Sequence, residues 1–400
     1  MERVTLPDAA WRHWPGLARV TAALGAGNAR YVGGAVRDTL LGLPVADVDI
    51  ATPHAPDQVI DLLESARIKA IPTGIAHGTI TAVSSDVTVE VTTLRHDLHT
   101  DGRHATVSFT DDWREDAARR DFTINALYAD PATGEVFDYF DGLSDLAARR
   151  VRFIGDPLQR IAEDHLRILR FFRFLARFGD VADPAGLDAC TTRANDLMAL
   201  SRERIRDELL KLIVARDAVP VLRLMVERAI WKPVLPEMDA AGVARLEALA
   251  TQEALVQIAP NPIRRLAALI PADAAINDAV GARMKLSKAE RQALASAIRP
   301  DLAEGPRALA YRIGVDRAVD RLLLAGQAQA VLEIADWSPP RLPIGGGALI
   351  TRGLSKGPDV ARALRLVEDR WIAAGFPDAA ATETLADAVV DQMRGSDSIA

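Results

Sequence analysis

Two acids spaced to act together stand at positions 47 and 49, where Ala46-Asp47-Val48-Asp49-Ile50 alternates carboxylates with apolar residues. In a strand, that period of two turns both acids to one face and sends Val48 and Ile50 into a core. Magnesium takes oxygen ligands of this kind, together with substrate phosphates. Upstream lies Gly33-Gly34. Lacking Cβ atoms, these residues let the backbone approach a triphosphate, and the start of the helix that follows favours its negative charge. Arg37, in the first turns of that helix, adds a charge-assisted contact. Metal-assisted phosphoryl or nucleotidyl transfer requires parts of this sort.

The elements that must position these groups are legible around them. Residues 31–52 read as strand, glycine turn, short helix, loop and strand. Before them, residues 2–29 read as helical on the spacing of Trp11, Trp14, Leu17 and Val20. After them, residues 53–66 read as a helix opened by proline, and residues 68–71 and 79–83 as strands. In Asp86-Val87-Thr88-Val89-Glu90-Val91-Thr92 the valines point to the core and Glu90 to the other face. Laid antiparallel beside the Asp47 strand, this segment brings Glu90 to the acid pair as a third carboxylate; unpaired, Glu90 is merely exposed. Residues 94–113 scatter His96, His99 and His104 among Asp97, Asp101, Asp111 and Asp112 with little periodicity. They match no common zinc spacing and read as a solvated loop.

Further on, Glu163-Asp164-His165-Leu166-Arg167-Ile168-Leu169-Arg170-Phe171-Phe172-Arg173-Phe174 has a helical pattern. Ile168, Leu169, Phe172, Leu175 and Ala176 share one flank, with Arg167, Arg170 and Arg173 opposite. Asp164 and Arg167 are surface neighbours on such a helix, and read locally they form an ordinary ion pair. In Arg119-Arg120-Asp121-Phe122-Thr123-Ile124-Asn125 the local reading is a helix start capped by Asp121. From about residue 216 the pattern is helical, rich in Ala and Leu and broken by prolines.

Composition sets the class. The net charge of −7 argues against a polyanionic partner, but residues 149–178 carry eight arginines against Asp156, Glu163 and Asp164. One segment is therefore strongly basic. A single cysteine, Cys190, excludes an internal disulfide. With no apolar run of membrane-spanning length and no signal pattern at the start, a cytoplasmic protein without membrane partners is expected.

Gly33-Gly34-x-Val36-Arg37-Asp38, Leu40-Leu41-Gly42 and Asp47-x-Asp49-Ile50-Ala51-Thr52, in that order, resemble the first motif of the class II nucleotidyltransferases, which comprise bacterial tRNA CCA-adding enzymes and their poly(A) polymerase relatives. Glu90 falls where the family has its third metal-binding carboxylate. Residues 119–127 are similar to the second motif, so the resemblance implies that Arg120, Asp121 and Asn125 surround the nucleotide's ribose. Asp138-Tyr139-Phe140-Asp141-Gly142 is similar to the third. Glu163-Asp164-x-x-Arg167 is similar to the fourth, in which the Asp and Arg read the Watson–Crick edge of the incoming base. Arg170 and Arg173 would support that pair or touch phosphate. Residues 201–211 resemble a further motif that braces this region through ion pairs and a Leu/Ile face.

The resemblance implies an α+β fold, with a nucleotidyltransferase head built on a small mixed or antiparallel sheet with flanking helices, followed by all-α neck, body and tail domains. The expected divisions are residues 1–145, 146–215, 216–335 and 336–400. It implies magnesium held by Asp47, Asp49 and Glu90, a nucleotide held by Gly33, Gly34 and Arg37 with the residues above, and CTP, ATP and tRNA as partners. The expected activity is template-independent addition of CCA to tRNA, the segment at 94–113 favouring full CCA over CC-only addition. Poly(A) synthesis and catalytically silent RNA binding are the alternatives. No histidine follows His165, so an appended His-Asp phosphohydrolase activity is not expected.

Overall fold

The structure, a computed structural model, describes residues 3–85, 87–100, 105–299 and 301–397. The chain divides into two compact units, Met1–Met238 and Asp239–Ala400.

The first unit opens with a short 3-10 turn, Ala10–His13, and helix α1, Pro15–Leu24. The continuous helix expected over residues 2–29 is absent because Trp14 is extended and Pro15 occupies the first helical position, where its missing N–H is harmless. Trp11 is core, as its spacing implies: its indole donates to Thr39 Oγ1 (3.0 Å) and its ring meets Tyr31 edge-on at 4.8 Å.

Strand β1 (Arg30–Val32), helix α2 (Gly34–Leu40), strand β2 (Asp49–Thr52) and helix α3 (Pro56–Ser65) follow as the sequence pattern predicts. Strands β3 (Lys69–Gly74), β4 (Thr79–Ser84) and β5 (Val87–Thr93) then form an antiparallel meander. After the hairpin described next, β8 (Leu127–Ala129) and β9 (Val136–Asp138) complete a seven-stranded mixed sheet of order β3-β4-β5-β2-β1-β8-β9. Strand β5 runs parallel to β2, not antiparallel as expected. The crossover through α3 starts β3 in the direction of β2, and two antiparallel turns restore that direction at β5.

The described residues of 94–113 are not a loop. Strands β6 (Arg95–Thr100) and β7 (Ala105–Phe109) pair as an antiparallel hairpin, closed at its root by Thr110 N–H donating to the Leu94 carbonyl at 3.0 Å. The alternating Thr106-Val107-Ser108-Phe109, rich in strand formers, is the pattern that overrides the acidic surroundings. Asp101 and His104 lie outside the described residues. Asp112 caps helix α4 (Trp113–Ala118), accepting from Arg114 N–H at 2.7 Å.

Helix α5 (Gly142–Ala147) leads to α6 (Pro157–Glu163) and α7 (Leu166–Phe178). The pattern over residues 163–174 suggests one helix, but Asp164 has extended dihedrals, and its carboxylate accepts the Leu166 N–H at the start of α7. Besides the flank of Ile168, Leu169 and Phe172, α7 also buries Phe171 and Phe174, whose rings reach Phe122 and Phe153 at 5.2–6.2 Å. Helices α8 (Pro184–Thr192), α9 (Arg202–Ile213) and α10 (Ala218–Glu227) complete this unit, with α9 and α10 against α7.

The second unit is helical, as expected, from Ala240–Leu255 to Ala379–Asp397. Leu349, Val367, Val389 and Val390 form one of its cores, and Trp371 anchors another with Ala308 and Ile372. Among the described residues, no helix is long and apolar enough to cross a membrane.

Candidate active site

The glycine turn comes first. Gly33 has φ 69° and ψ −121°, a backbone state open to glycine and strained for any other residue. Its N–H is anchored on the Leu127 carbonyl of β8 (3.2 Å), which fixes the turn at the end of β1 beside β8. Arg37, one turn into α2, is 5% exposed. Its Nε donates to Asp38 at 2.8 Å, Nη1 to Asn125 Oδ1, and the guanidinium lies 4.0 Å over Phe178. Burial pulls its pKa down from the usual value while Asp38 opposes the shift.

Asp49 begins β2 and stands in register with Glu90 of β5 on one side and Val32 of β1 on the other. Asp47 lies two residues ahead of it, before the strand, and all three acids are exposed. Although Asp49 reaches solvent, the protein packed around it desolvates its carboxyl and, with the charges of Glu90 and Asp47, pushes it above its ordinary range, Arg120 opposing them. Asp49 therefore senses both other acids at the β2–β5 edge. Among the described residues, no three side chains are already gathered as a metal cluster. The donor set nevertheless suits a hard divalent cation: it is all carboxylate, and its mutual repulsion is what such a cation relieves.

Residues 119–127 do not start a helix. Only the 3-10 turn Thr123–Asn125 forms, and Asp121 does not cap it. Instead Asp121 Oδ1 accepts from Asn125 Nδ2 (2.9 Å) and its Oδ2 accepts from Arg170 Nε (2.8 Å). The Arg170 charge heads the causes that hold the buried Asp121 carboxyl low against desolvation. Arg37, Asn125, Asp121 and Arg170 thus form one chain of contacts from α2 to α7.

Asp164 does not pair with Arg167 as their spacing predicts. The break before α7 turns its carboxylate to α9, where Arg204 Nη2 reaches both oxygens at 3.0 and 2.8 Å. Arg167 donates to Glu163 (2.7 Å) and to the Arg160 carbonyl (2.8 Å). Arg173 pairs with buried Glu208 on α9.

These groups enclose a cavity of about 440 Å³. Gly33, Gly34, Arg37, Asp49, Arg120, Asp121, Asn125, Asp164, Arg167 and Arg170 all line it. Arg173 does not, nor do Asp47 and Glu90. Arg119 and Phe174 join the lining without having been singled out from the sequence. The doubled arginine was the signal for Arg119; Phe174 is indistinguishable by pattern from its buried neighbours. A cavity that combines a glycine turn, five arginines and three carboxylates can accept a polyanion with a polar head group.

Comparison with known proteins identifies relatives of the chain. Residues 29–152 match the family described as Poly A polymerase head domain, and residues 183–241 the one described as probable RNA and SrmB-binding site of polymerase A. The chain is 34% identical over 373 residues to the mitochondrial CCA tRNA nucleotidyltransferase 1 of Homo sapiens, covering 87% of this chain and 83% of that one. It is 32% identical over 375 residues to the CCA-adding enzyme of Latilactobacillus sakei, covering 88% and 91%. Its fold superposes on the Bacillus stearothermophilus CCA-adding enzyme in complex with CTP with a TM-score of 0.71 and 25% identity, over 97% of this chain and all of the other. The chain belongs to the class II CCA-adding nucleotidyltransferase family.

Proposed function

We propose that this protein adds CCA to the 3′ end of tRNA from CTP and ATP by divalent-metal-dependent nucleotidyl transfer. The observation that carries this reading is the single cavity lined by the Gly33-Gly34 turn, Asp49, and the pair Asp164 and Arg167. Asp47, Asp49 and Glu90 would hold magnesium. When bound there, the cation lowers the pKa of the RNA 3′-hydroxyl and stabilises the leaving pyrophosphate.

The remaining work falls to the chain's own side chains. Gly33 and Gly34 admit the triphosphate, with the Arg37 guanidinium behind them. Asn125 has already given one Nδ2 hydrogen to Asp121 and accepted from Arg37. It keeps one donor and one acceptor site, which is what a ribose 2′-hydroxyl needs. Asp164 accepts the amino group shared by cytosine and adenine, and Arg167 donates to the neighbouring ring acceptor. Arg170 holds Asp121, and Arg173 braces α7 on α9 through Glu208.

The corresponding organisation is a catalytic head at 1–145, a nucleotide-selecting neck at 146–215, a helical body at 216–335 and an RNA-binding tail at 336–400. A cytoplasmic setting accords with one cysteine, Cys190, buried and unpaired.

The test is incorporation on tRNA transcripts ending at the discriminator base. With CTP alone two residues add, and ATP then adds one. Long tails on arbitrary RNA from ATP alone would instead make this a poly(A) polymerase. Metal-dependent turnover excludes a silent RNA-binding role. Full activity in Asp47→Ala would overturn the metal assignment.

A further inference from the structure

Behind the cavity wall lies a carboxylate with no access to any ligand. Asp116, on α4, is 1% exposed. Its Oδ1 accepts from Arg119 Nε (2.8 Å) and from the Arg95 N–H at the root of the β6–β7 hairpin (3.3 Å). Its Oδ2 accepts from the Tyr128 hydroxyl (2.6 Å) and from Arg120 Nη2 (3.2 Å). A carboxylate offers about four acceptor sites, and all are filled by the protein. Asp116 therefore acts only through what it holds.

What it holds is the pair of arginines on the cavity wall. Arg120 is fixed at two points, Nη2 on Asp116 and Nε on the Tyr128 hydroxyl (3.2 Å), with its guanidinium 5.4 Å from the Tyr128 ring centroid. Its Nη1 has no protein acceptor among the described residues. It lies 3.5 Å from the point where a Cβ on Gly33 would sit, so the remaining donor borders the glycine turn. A guanidinium presented this way is pre-organised, because the rotamers that would carry it elsewhere are excluded.

We infer that Asp116 is a positioning residue for the nucleotide's triphosphate: with Tyr128 it sets Arg120 and Arg119 at the cavity wall so that Arg120 Nη1 faces the phosphates admitted by the Gly33-Gly34 turn. The inference rests on the proposed nucleotidyl transfer and adds a phosphate role for Arg120, which its motif position assigns to the ribose. Triphosphate is common to CTP and ATP, so the effect of Asp116 is blind to the base.

The experiment uses the full chain with Asp116→Asn, of equal size but uncharged, and Tyr128→Phe, which removes one hydroxyl and keeps the ring. Inorganic tripolyphosphate competing with CTP is the probe. Expected for Asp116→Asn is a roughly 10–100-fold weaker tripolyphosphate inhibition, on the scale of losing an outer-shell partner. The KM values for CTP and ATP should rise by a similar factor. Discrimination between CTP and UTP and the affinity for tRNA should stay as in the wild type. Tyr128→Phe should show the same pattern more weakly, and keeps the test alive should Asp116→Asn fail to fold. Tripolyphosphate inhibition within twofold of wild type in both variants, or a loss that falls equally on tRNA binding, would overturn the inference. Asp116-dependent tripolyphosphate binding by a protein that adds no nucleotide to tRNA would uphold the positioning role and refute the proposed activity.

Discussion

Asp49 and Glu90 are direct partners across the parallel β2–β5 pair, two like charges placed opposite one another. Like charges in that position destabilise a sheet by a few tenths of a kcal/mol to about 1, toward the low end where the groups are exposed, as here. Glu90→Gln should therefore stabilise the protein slightly in EDTA. The same change should lower nucleotide addition by several kcal/mol of transition-state stabilisation, on the order of 10²–10³ in rate. Thermal melts in EDTA beside single-turnover assays in magnesium check both halves. A variant that is less stable without metal, or as active with it, would refute the shared-cation reading of this edge.

Base choice should depend on a residue outside the fourth motif. Asp164 accepts from Leu166 N–H and twice from Arg204, which leaves one acceptor site for a base. Asp164→Ala removes that site and breaks the two-point contact that Asp164 and Arg167 make with the base edge; a good bidentate contact is worth about 1–3 kcal/mol of discrimination. Competition between CTP and UTP on a tRNA transcript should show preference for CTP falling by about 5–150-fold. Arg204→Gln, which frees the carboxylate to rotate, should move the same ratio in the same direction by less. An unchanged ratio in Asp164→Ala would remove that residue from base reading.

The Asp116 contacts also set an acid limit. The charges of Arg120 and Arg119, with the Tyr128 hydrogen bond, overcome burial and hold its carboxyl down to about 2. Because the folded value lies below the unfolded one, near 3.9, this stabilisation is fully present above about pH 4 and is lost as pH falls toward 2. It amounts to about 2–3 kcal/mol. Urea denaturation between pH 2 and 6 should show a shallower acid loss in Asp116→Asn than in wild type. Parallel curves would mean that other carboxylates dominate the limb.

The site was legible in the sequence where its logic is local. The period of two placed Asp49 and Glu90 on exposed faces, and the glycine turn stands where the strand meets α2. What escaped depends on distant partners. The direction of β5 is set by the α3 crossover, which leaves no trace in residues 86–92 themselves. The partner of Asp164 is 40 positions away on α9, whereas Arg167 three positions away looked sufficient. Asp116 was visible in principle, at spacings of three and four from Arg119 and Arg120, but such pairs are common on exposed helices and only burial gives this one a role.

The second unit holds a buried ionic cluster that should govern its stability alone. Glu253, 2% exposed, accepts from Arg264 at 2.6 and 2.8 Å and from Arg265 at 2.7 and 2.9 Å. Arg264 also donates to Asp320 at 2.9 Å, whose carboxyl is pushed up by burial and drawn back by that arginine. Replacing one member of such a cluster strands the others without a counter-charge, at about 3–5 kcal/mol. Glu253→Gln should thus lower the melting temperature of this unit by roughly 6–20 °C. Every residue lining the cavity proposed for the nucleotide belongs to the first unit. CTP binding by the variant should consequently survive temperatures at which limited proteolysis already cuts beyond residue 239. Loss of CTP binding in step with that cleavage would show that the first unit does not hold its cavity by itself.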